Sequence, residues 1–145
     1  MWGPVSESAP KFPIHNGSNP HGSVMAFKIQ PDGDSYKPSL QPAWISADFN
    51  LPDPVVIANG VVFALSTGEN AQQTGSTDEK RMQSARPAVL YALDARSGKV
   101  LYQSGSAITS WVHFSGLAVS DGQVYAVDHD SQVYCFGLKA KTPSP

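Results

Sequence analysis

Short apolar runs separated by turn-forming residues make up most of the chain. Two of these runs flank Asn59-Gly60, and two more flank Asp121-Gly122. Asn-Gly and Asp-Gly tolerate the positive φ angles of a type I′ turn, so both places predict β-hairpins. Further apolar runs lie at 24–29, 42–46, 88–93, 99–103 and 132–138. No segment has the 3.6-residue period of an amphipathic helix, and we therefore predict strands and no helix.

Three segments interrupt this pattern. Residues 1–21 hold four prolines and sustain no period, so we predict an irregular segment with at most an edge strand near Phe12. Residues 66–86 carry almost no apolar side chains, which predicts a long polar loop. Loops of this length are uncommon in compact domains and are either functional or disordered. Residues 140–145 are polar and contain proline, and we predict a frayed tail.

The hairpin pattern repeats along the chain. Residues 57–65 resemble residues 119–127 at nearly every position, at an offset of 62 residues. Residues 90–93 recur as 133–136 at an offset of 43 residues, and an incomplete earlier copy contains residues 24–27 and Trp44. The two offsets differ by about the length of the polar loop, so the underlying period is that of a four-stranded propeller blade, roughly 40 to 50 residues. Such small sheets bury their faces by stacking side by side.

Residues 90–102, which read LYALDARSGKVLY, resemble the repeat of pyrroloquinoline-quinone-type (PQQ-type) β-propellers. That repeat has Tyr-Ala-Leu-Asp, a Thr-Gly-Lys turn and then a tryptophan; here Ser97 replaces the threonine and Tyr102 the tryptophan. The resemblance covers residues 22–139. It implies an all-β, incomplete β-propeller of about two four-stranded antiparallel blades plus part of a third.

The chain also resembles the C-terminal part of bacterial PQQ-binding-like β-propeller repeat proteins. We therefore expect the remaining blades to come from a longer chain, or the ring to close by self-association. The resemblance implies a periplasmic or extracellular protein, although the residues after Met1 lack the positive and apolar regions of a signal peptide.

The family includes two functional kinds. Quinoprotein dehydrogenases hold PQQ and calcium and oxidise alcohols or sugars, and their hallmarks include a pair of adjacent cysteines. This chain has one cysteine, Cys135, and none of its residues can be matched to the calcium or base positions. The other kind uses the repeat as a scaffold for protein contacts. We expect a ligand- or protein-binding scaffold with no identifiable catalytic residues in this segment; the alternative is part of a PQQ-dependent dehydrogenase.

Composition and charge exclude several kinds of partner and site. The net charge is −2 and the ten basic residues are scattered, which excludes the basic stripe of a nucleic-acid-binding protein. No apolar run reaches the eighteen residues of a transmembrane helix. A single cysteine excludes an internal disulfide framework and a thiolate zinc cluster, and the apolar neighbours of Cys135 predict a small buried side chain.

Trp111 and His113 are the candidate ligand-binding residues, because they precede the inner strand of the last unit. In a propeller, residues at that position approach the central channel. The more ordinary interpretation is a packing cluster with a hydrogen-bonded histidine. His21 also precedes a strand and joins His113 if the two loops share a face; otherwise it is solvated.

Asp128, His129 and Asp130 form the candidate metal site, since carboxylates and imidazole suit divalent cations. Aspartates at this turn are common in the repeat, where their side chains accept backbone hydrogen bonds. A calcium loop needs several more spaced oxygens. The turn role is therefore the more ordinary interpretation of these three residues.

Overall fold

Ten strands and one short helix form the described part of the chain, residues 11–31, 37–69 and 75–137 of a computed structural model. These elements are β1 (Ile14–His15), β2 (Met25–Gln30), β3 (Ser39–Ile45), β4 (Val56–Ala58), β5 (Val61–Ser66), α1 (Asp78–Ser84), β6 (Val89–Asp94), β7 (Val100–Gln103), β8 (Leu117–Ser120), β9 (Gln123–Val127) and β10 (Val133–Gly137). The predicted all-β class is confirmed.

The strands form three separate sheets. The first sheet has the order β1-β3-β2, the middle sheet β4-β5-β6-β7 and the last sheet β10-β9-β8. All neighbouring strands are antiparallel except β1 and β3, which are parallel. The middle sheet therefore has the antiparallel, sequence-ordered strands predicted for one unit.

Two four-stranded sheets were expected, and only the middle sheet has four strands in the described chain. The first sheet has a third strand, β1, but it is two residues long and parallel to β3, so it is not the hairpin partner that the repeat predicts. The last sheet has three strands within the described residues, which end at Gly137.

Both predicted hairpins are confirmed. The two loop residues have φ of 50° and 76° at Asn59-Gly60 and of 51° and 73° at Asp121-Gly122. Successive positive φ angles define the type I′ turn, which continues the twist of the two strands that it joins.

The two central strands of the middle sheet, β5 and β6, are covered on both faces. Val62 and Ala64 on β5 pack toward the first sheet, where Trp44 lies, whereas Leu65 on the same strand packs toward the last sheet. Because side chains alternate between faces along a strand, a strand covered on both sides must be apolar at consecutive positions. The sequence of β5, VVFALS, meets this requirement. The three sheets are thus stacked, with one hydrophobic core on each side of the middle sheet.

The turn after β6 connects the first and middle sheets. Asp94 Oδ1 accepts hydrogen bonds from the backbone N–H groups of Arg96 and Ser97 and from the Ser97 hydroxyl, and these bonds, Ser97's first, lower the pKa of Asp94. Gly98 has φ of 71°, and a Cβ there would lie 2.4 Å from the Trp44 ring. Only glycine lets the turn approach the indole so closely, which explains the glycine between Ser97 and Lys99.

The prediction of no helix, with a loop throughout 66–86, is wrong at α1. The Thr77 side chain accepts a hydrogen bond from the backbone N–H of Lys80, and Asp78 and Glu79 occupy the first turn, where negative charge is favoured. None of the helical residues is buried, so the helix has no apolar stripe. Its capping signal was present in the sequence, but the hydrophobic periodicity on which the prediction depended was not.

Cys135 is exposed, so the prediction of a buried thiol is wrong. In the described chain the last sheet is covered on the face that meets the middle sheet, and Cys135 lies on the other face in register with Tyr125. Its Sγ donates a hydrogen bond to Gln123 Oε1 at 2.7 Å. The local apolar run gave no information about which face is covered.

Near the N-terminus, Phe12 is buried against Phe27, with ring centroids 5.4 Å apart. In its described part, which begins at residue 11, the predicted irregular segment contains one short strand, β1. This strand lies at the edge of the first sheet, two residues after Phe12 in the sequence. The predicted frayed tail, residues 140–145, lies outside the described residues. No helix in the described ranges is long and apolar enough to cross a membrane.

Candidate functional site

Glu69 is the centre of a buried ionic cluster. Its side chain is 2% exposed. One carboxylate oxygen, Oε2, lies 2.8 Å from His113 Nδ1, and the other, Oε1, accepts a hydrogen bond from Arg81 Nη2. The cluster joins three segments that are distant in sequence: the end of β5, helix α1 and the loop before β8.

The chain after β5 turns inward at Gly68 and places Glu69 in the interior. Gly68 has φ of 76°, and a Cβ there would lie 1.9 Å from the carbonyl oxygen of Arg86. The backbone N–H of Arg86 donates to the Gly68 carbonyl at 2.8 Å, so the two segments are in direct contact. A side chain at position 68 would push them apart, and glycine is therefore required for this crossing.

Thr67 holds two further segments beside Glu69 through hydrogen bonds. Its hydroxyl lies 2.7 Å from the Leu51 carbonyl oxygen, and it accepts a hydrogen bond from the backbone N–H of Glu69 at 3.3 Å. Its carbonyl accepts from the backbone N–H of Val112 at 2.9 Å. This last bond aligns the segment 111–113 beside the end of β5, which brings His113 to Glu69.

Asp53 is a second buried carboxyl group near the cluster, with 6% of its surface exposed. Burial raises the pKa of Asp53; a hydrogen bond from the Gly116 backbone and the nearby His113 lower it, and the nearby Glu69 raises it again. The net pKa is above the ordinary value of 3.8. Within the described ranges, no hydrogen-bond partner lies near Asp53 Oδ2. The site therefore contains two carboxyl groups of which one holds its proton unusually well.

Aromatic and imidazole rings lie beside the carboxyl groups. Trp111 stacks on His129 with centroids 4.3 Å apart and planes 19° apart, and His113 meets Phe114 edge to face at 4.3 Å. Phe114 is 65% exposed and has φ of 51°, which is unusual for a non-glycine residue. We call Trp111, His113, Phe114 and His129 the aromatic surface.

Of the predicted ligand-binding residues, Trp111 and His113 come together and His21 does not join them in any described contact. Trp111 and His113 have ring centroids 5.7 Å apart. The backbone N–H and Nδ1 of His21 lie 2.8 and 2.6 Å from the two carboxylate oxygens of Asp48. His113 is hydrogen-bonded, as its packing interpretation requires, but it is also partly exposed, so its ligand-binding role stays a prediction.

Asp128 acts within its own turn. One carboxylate oxygen accepts from the backbone N–H groups of Asp130 and Gln132, and the other accepts from the Tyr134 hydroxyl at 2.7 Å. Burial alone would raise the pKa of Asp128, but these hydrogen bonds together lower it. His129 Nδ1 lies 3.6 Å from Asp130 Oδ1. No group of three metal-ligating side chains occurs in the described ranges, and the metal site at 128–130 stays a prediction.

Glu69, Arg81 and Asp53 are not singled out by the sequence patterns. Glu69 and Arg81 lie in the predicted polar loop 66–86, and Asp53 lies just before the apolar run that leads to Asn59. The available signal was Gly68-Glu69 directly after an apolar strand, since a glycine there permits a sharp inward turn. The partners of Glu69 are 12 and 44 residues away along the chain, so no local pattern joins them.

No family model, curated protein or solved structure matches this chain.

Asp53→Asn is expected to gain stability relative to the wild type as the pH rises. Because the pKa of Asp53 is raised, the folded protein holds this proton more tightly than the unfolded chain does. The resulting stabilisation is fully present below the ordinary pKa of 3.8 and is lost as the pH rises through the raised pKa. Asparagine does not titrate and keeps an oxygen for the Gly116 N–H. The difference in free energy of unfolding should grow by about 1.4 kcal/mol per unit of raised pKa.

Urea denaturation of both proteins between about pH 3 and about pH 7 measures this difference. Asp130→Asn is the matched control, since the Asp130 side chain is 62% exposed. A difference that stays constant or shrinks with rising pH would contradict the assignment of Asp53.

Proposed function

We propose that the three sheets are consecutive blades of a PQQ-like β-propeller and that the chain is a ligand- or protein-binding scaffold. The observation that carries the proposal is the aromatic surface beside the buried Glu69 and Asp53 carboxyl groups. Phe114 is exposed and lies next to His113, which is partly exposed and hydrogen-bonded to Glu69. Together the two side chains offer a ligand both apolar contact and a directed hydrogen bond. No residue is assigned a catalytic role in this proposal.

The stacking of the sheets supports the propeller. Strands β4 and β8 contact each other, as neighbouring innermost strands of two blades would. The loop that carries Trp111 and His113 leads into β8, and in this arrangement it lies at one end of the central channel. A ligand there would contact the aromatic surface.

An apolar cleft of about 340 Å³ supports the proposal that further blades or strands pack against this chain. It lies between the first and middle sheets, where β2 has a strand neighbour on one side only in the described chain. Ile57 in its lining is 65% exposed. In a propeller, the inner strands of the first blade would pack here, supplied by a longer chain or by self-association. A periplasmic or extracellular location belongs to the same proposal.

The experiment is a ligand screen on the full 145-residue chain. Quinones including PQQ with calcium, neutral sugars, amines and short peptides are added, and binding is followed by heteronuclear NMR shifts. Phe114→Ala is the test variant, and Leu101→Ala is the control because Leu101 on β7 is similarly exposed, at 58%. We expect saturable binding that is lost in Phe114→Ala and retained in Leu101→Ala.

The screen has clear opposing outcomes. If no class of ligand binds, or if Phe114→Ala binds as the wild type does, the aromatic surface is not the binding site. Tight binding of PQQ with calcium would instead favour the alternative function, a part of a dehydrogenase that oxidises alcohols or sugars.

A further inference from the structure

Helix α1 is held on the protein by a guanidinium group in a carboxylate site. The helix has seven residues and buries none of them, so neither its length nor an apolar face holds it in place. Arg81, 23% exposed, donates through Nη2 to the buried carboxylate of Glu69. The contact resembles that of a ligand in a receptor site, except that the ligand belongs to the same chain.

Two buried polar atoms, one on Arg81 and one on Asp53 near Glu69, have no hydrogen-bond partner in the described ranges. Arg81 Nε is buried without an acceptor, and Asp53 Oδ2 is buried without a donor, as far as the described ranges extend. Buried polar atoms in native proteins are nearly always hydrogen-bonded. A guanidinium group has five N–H donors in a planar fork, and the present pose leaves at least one of them unused. Arg81 therefore binds Glu69 without satisfying every buried polar atom in this part of the protein.

We propose that Glu69 and Asp53 form a receptor site for a guanidinium group supplied by a ligand, namely an arginine side chain of a peptide or protein. Arg81 is the competitor within the chain that fills the site when the ligand is absent. The inference rests on the proposed function, because the ligand would lie across the same aromatic surface.

The surroundings favour guanidinium over other cations. A guanidinium plane pairs with a carboxylate in a fixed geometry and is more weakly hydrated than an ammonium group, so it enters partly buried sites at lower cost. It also stacks on aromatic rings, and Phe114, 65% exposed, presents one beside His113. For a metal ion, the described residues offer no group of three ligating side chains.

Exchange requires that α1 move away from Glu69. The helix is suited to this, since it leaves no hydrophobic contact of a buried residue behind. A segment tethered nearby competes at an effective concentration in the millimolar range for a short link. Removing its guanidinium group should therefore raise the apparent affinity for an external one by about tenfold.

The test uses N-acetyl-arginine-amide as the probe and N-acetyl-citrulline-amide as its uncharged isostere, with binding measured by calorimetry and NMR. We expect the wild type to bind the arginine probe and not the citrulline probe. Arg81→Ala should bind it about tenfold more tightly than the wild type, and Glu69→Gln should lose binding. Arg81→Lys keeps the positive charge and should fall between Arg81→Ala and the wild type.

Three results would overturn the proposal. The first is equal binding of arginine and citrulline probes, and the second is an arginine affinity that Glu69→Gln leaves unchanged. The third is that Arg81→Ala binds the arginine probe but the wild type does not, even at a probe concentration about a hundredfold higher. Arg81 would then be a permanent structural anchor. If the arginine probe fails while another ligand binds in a Phe114-dependent way, the proposed function stands and this inference does not.

Discussion

Glu69→Ala is expected to lower the free energy of unfolding by about 3 kcal/mol. Glu69 is 2% exposed, and its removal leaves the guanidinium group of Arg81 and the ring of His113 without their shared carboxylate. Removing one partner of a buried ion pair costs about 3 to 5 kcal/mol. The lower end applies because Arg81 and His113 are 23% and 38% exposed and can reach water.

Glu69→Gln is the matched control for this prediction, because glutamine keeps the shape and one acceptor oxygen but not the charge. We expect a loss of about 1 to 2 kcal/mol, the cost of weaker hydrogen bonds without a cavity. Urea denaturation followed by circular dichroism gives both values. Equal losses for alanine and glutamine would show that charge alone matters, and a loss below about 0.5 kcal/mol for both would show that the cluster is not coupled to folding.

Trp44→Ala is expected to destabilise the fold by about 3 to 5 kcal/mol. Trp44 is 2% exposed in the core between the first and middle sheets, and its Nε1–H donates to the Ala95 carbonyl at 2.9 Å. Alanine would leave a large cavity and an unpaired carbonyl beneath the turn that contains Gly98. The turn and the indole fit so closely that the turn has little room to collapse into the space.

The matched control is Tyr102→Ala, at an aromatic residue of β7 that lies outside the core. Tyr102 is 48% exposed, so its loss should cost less than about 1 kcal/mol. Thermal and urea unfolding of both variants measures the contrast. Similar losses at the two positions would mean that the core between the first and middle sheets does not depend on the indole.

The two hairpin predictions succeeded because a hairpin turn is specified by a local pattern. Asn59-Gly60 and Asp121-Gly122 fix a turn type through their own backbone preferences, and the structure has both hairpins. The continuous apolar sequence of β5 is likewise what its burial on both faces requires. In these cases the deciding information lies within a few residues.

The features that could not be predicted depend on distant parts of the chain. Cys135 lies in an apolar run, but its exposure depends on whether a neighbouring sheet covers that face. Glu69 is buried because Gly68 lets the chain cross residue 86 and because His113 and Arg81 arrive from other segments. Helix α1 has a capping residue but no apolar stripe, because none of its residues is buried.

The burial of β5 and β6 on both faces has a consequence for cooperativity. These two strands lose part of their hydrophobic core when either neighbouring sheet unfolds, because each neighbour covers one of their faces. Amide protons in β5 and β6 can therefore exchange with solvent only through opening of a neighbouring sheet or of the whole molecule, whereas those of the two flanking sheets have a cheaper, local route. Protection should thus fall from the centre of the stack toward both ends, as in a chain of coupled units.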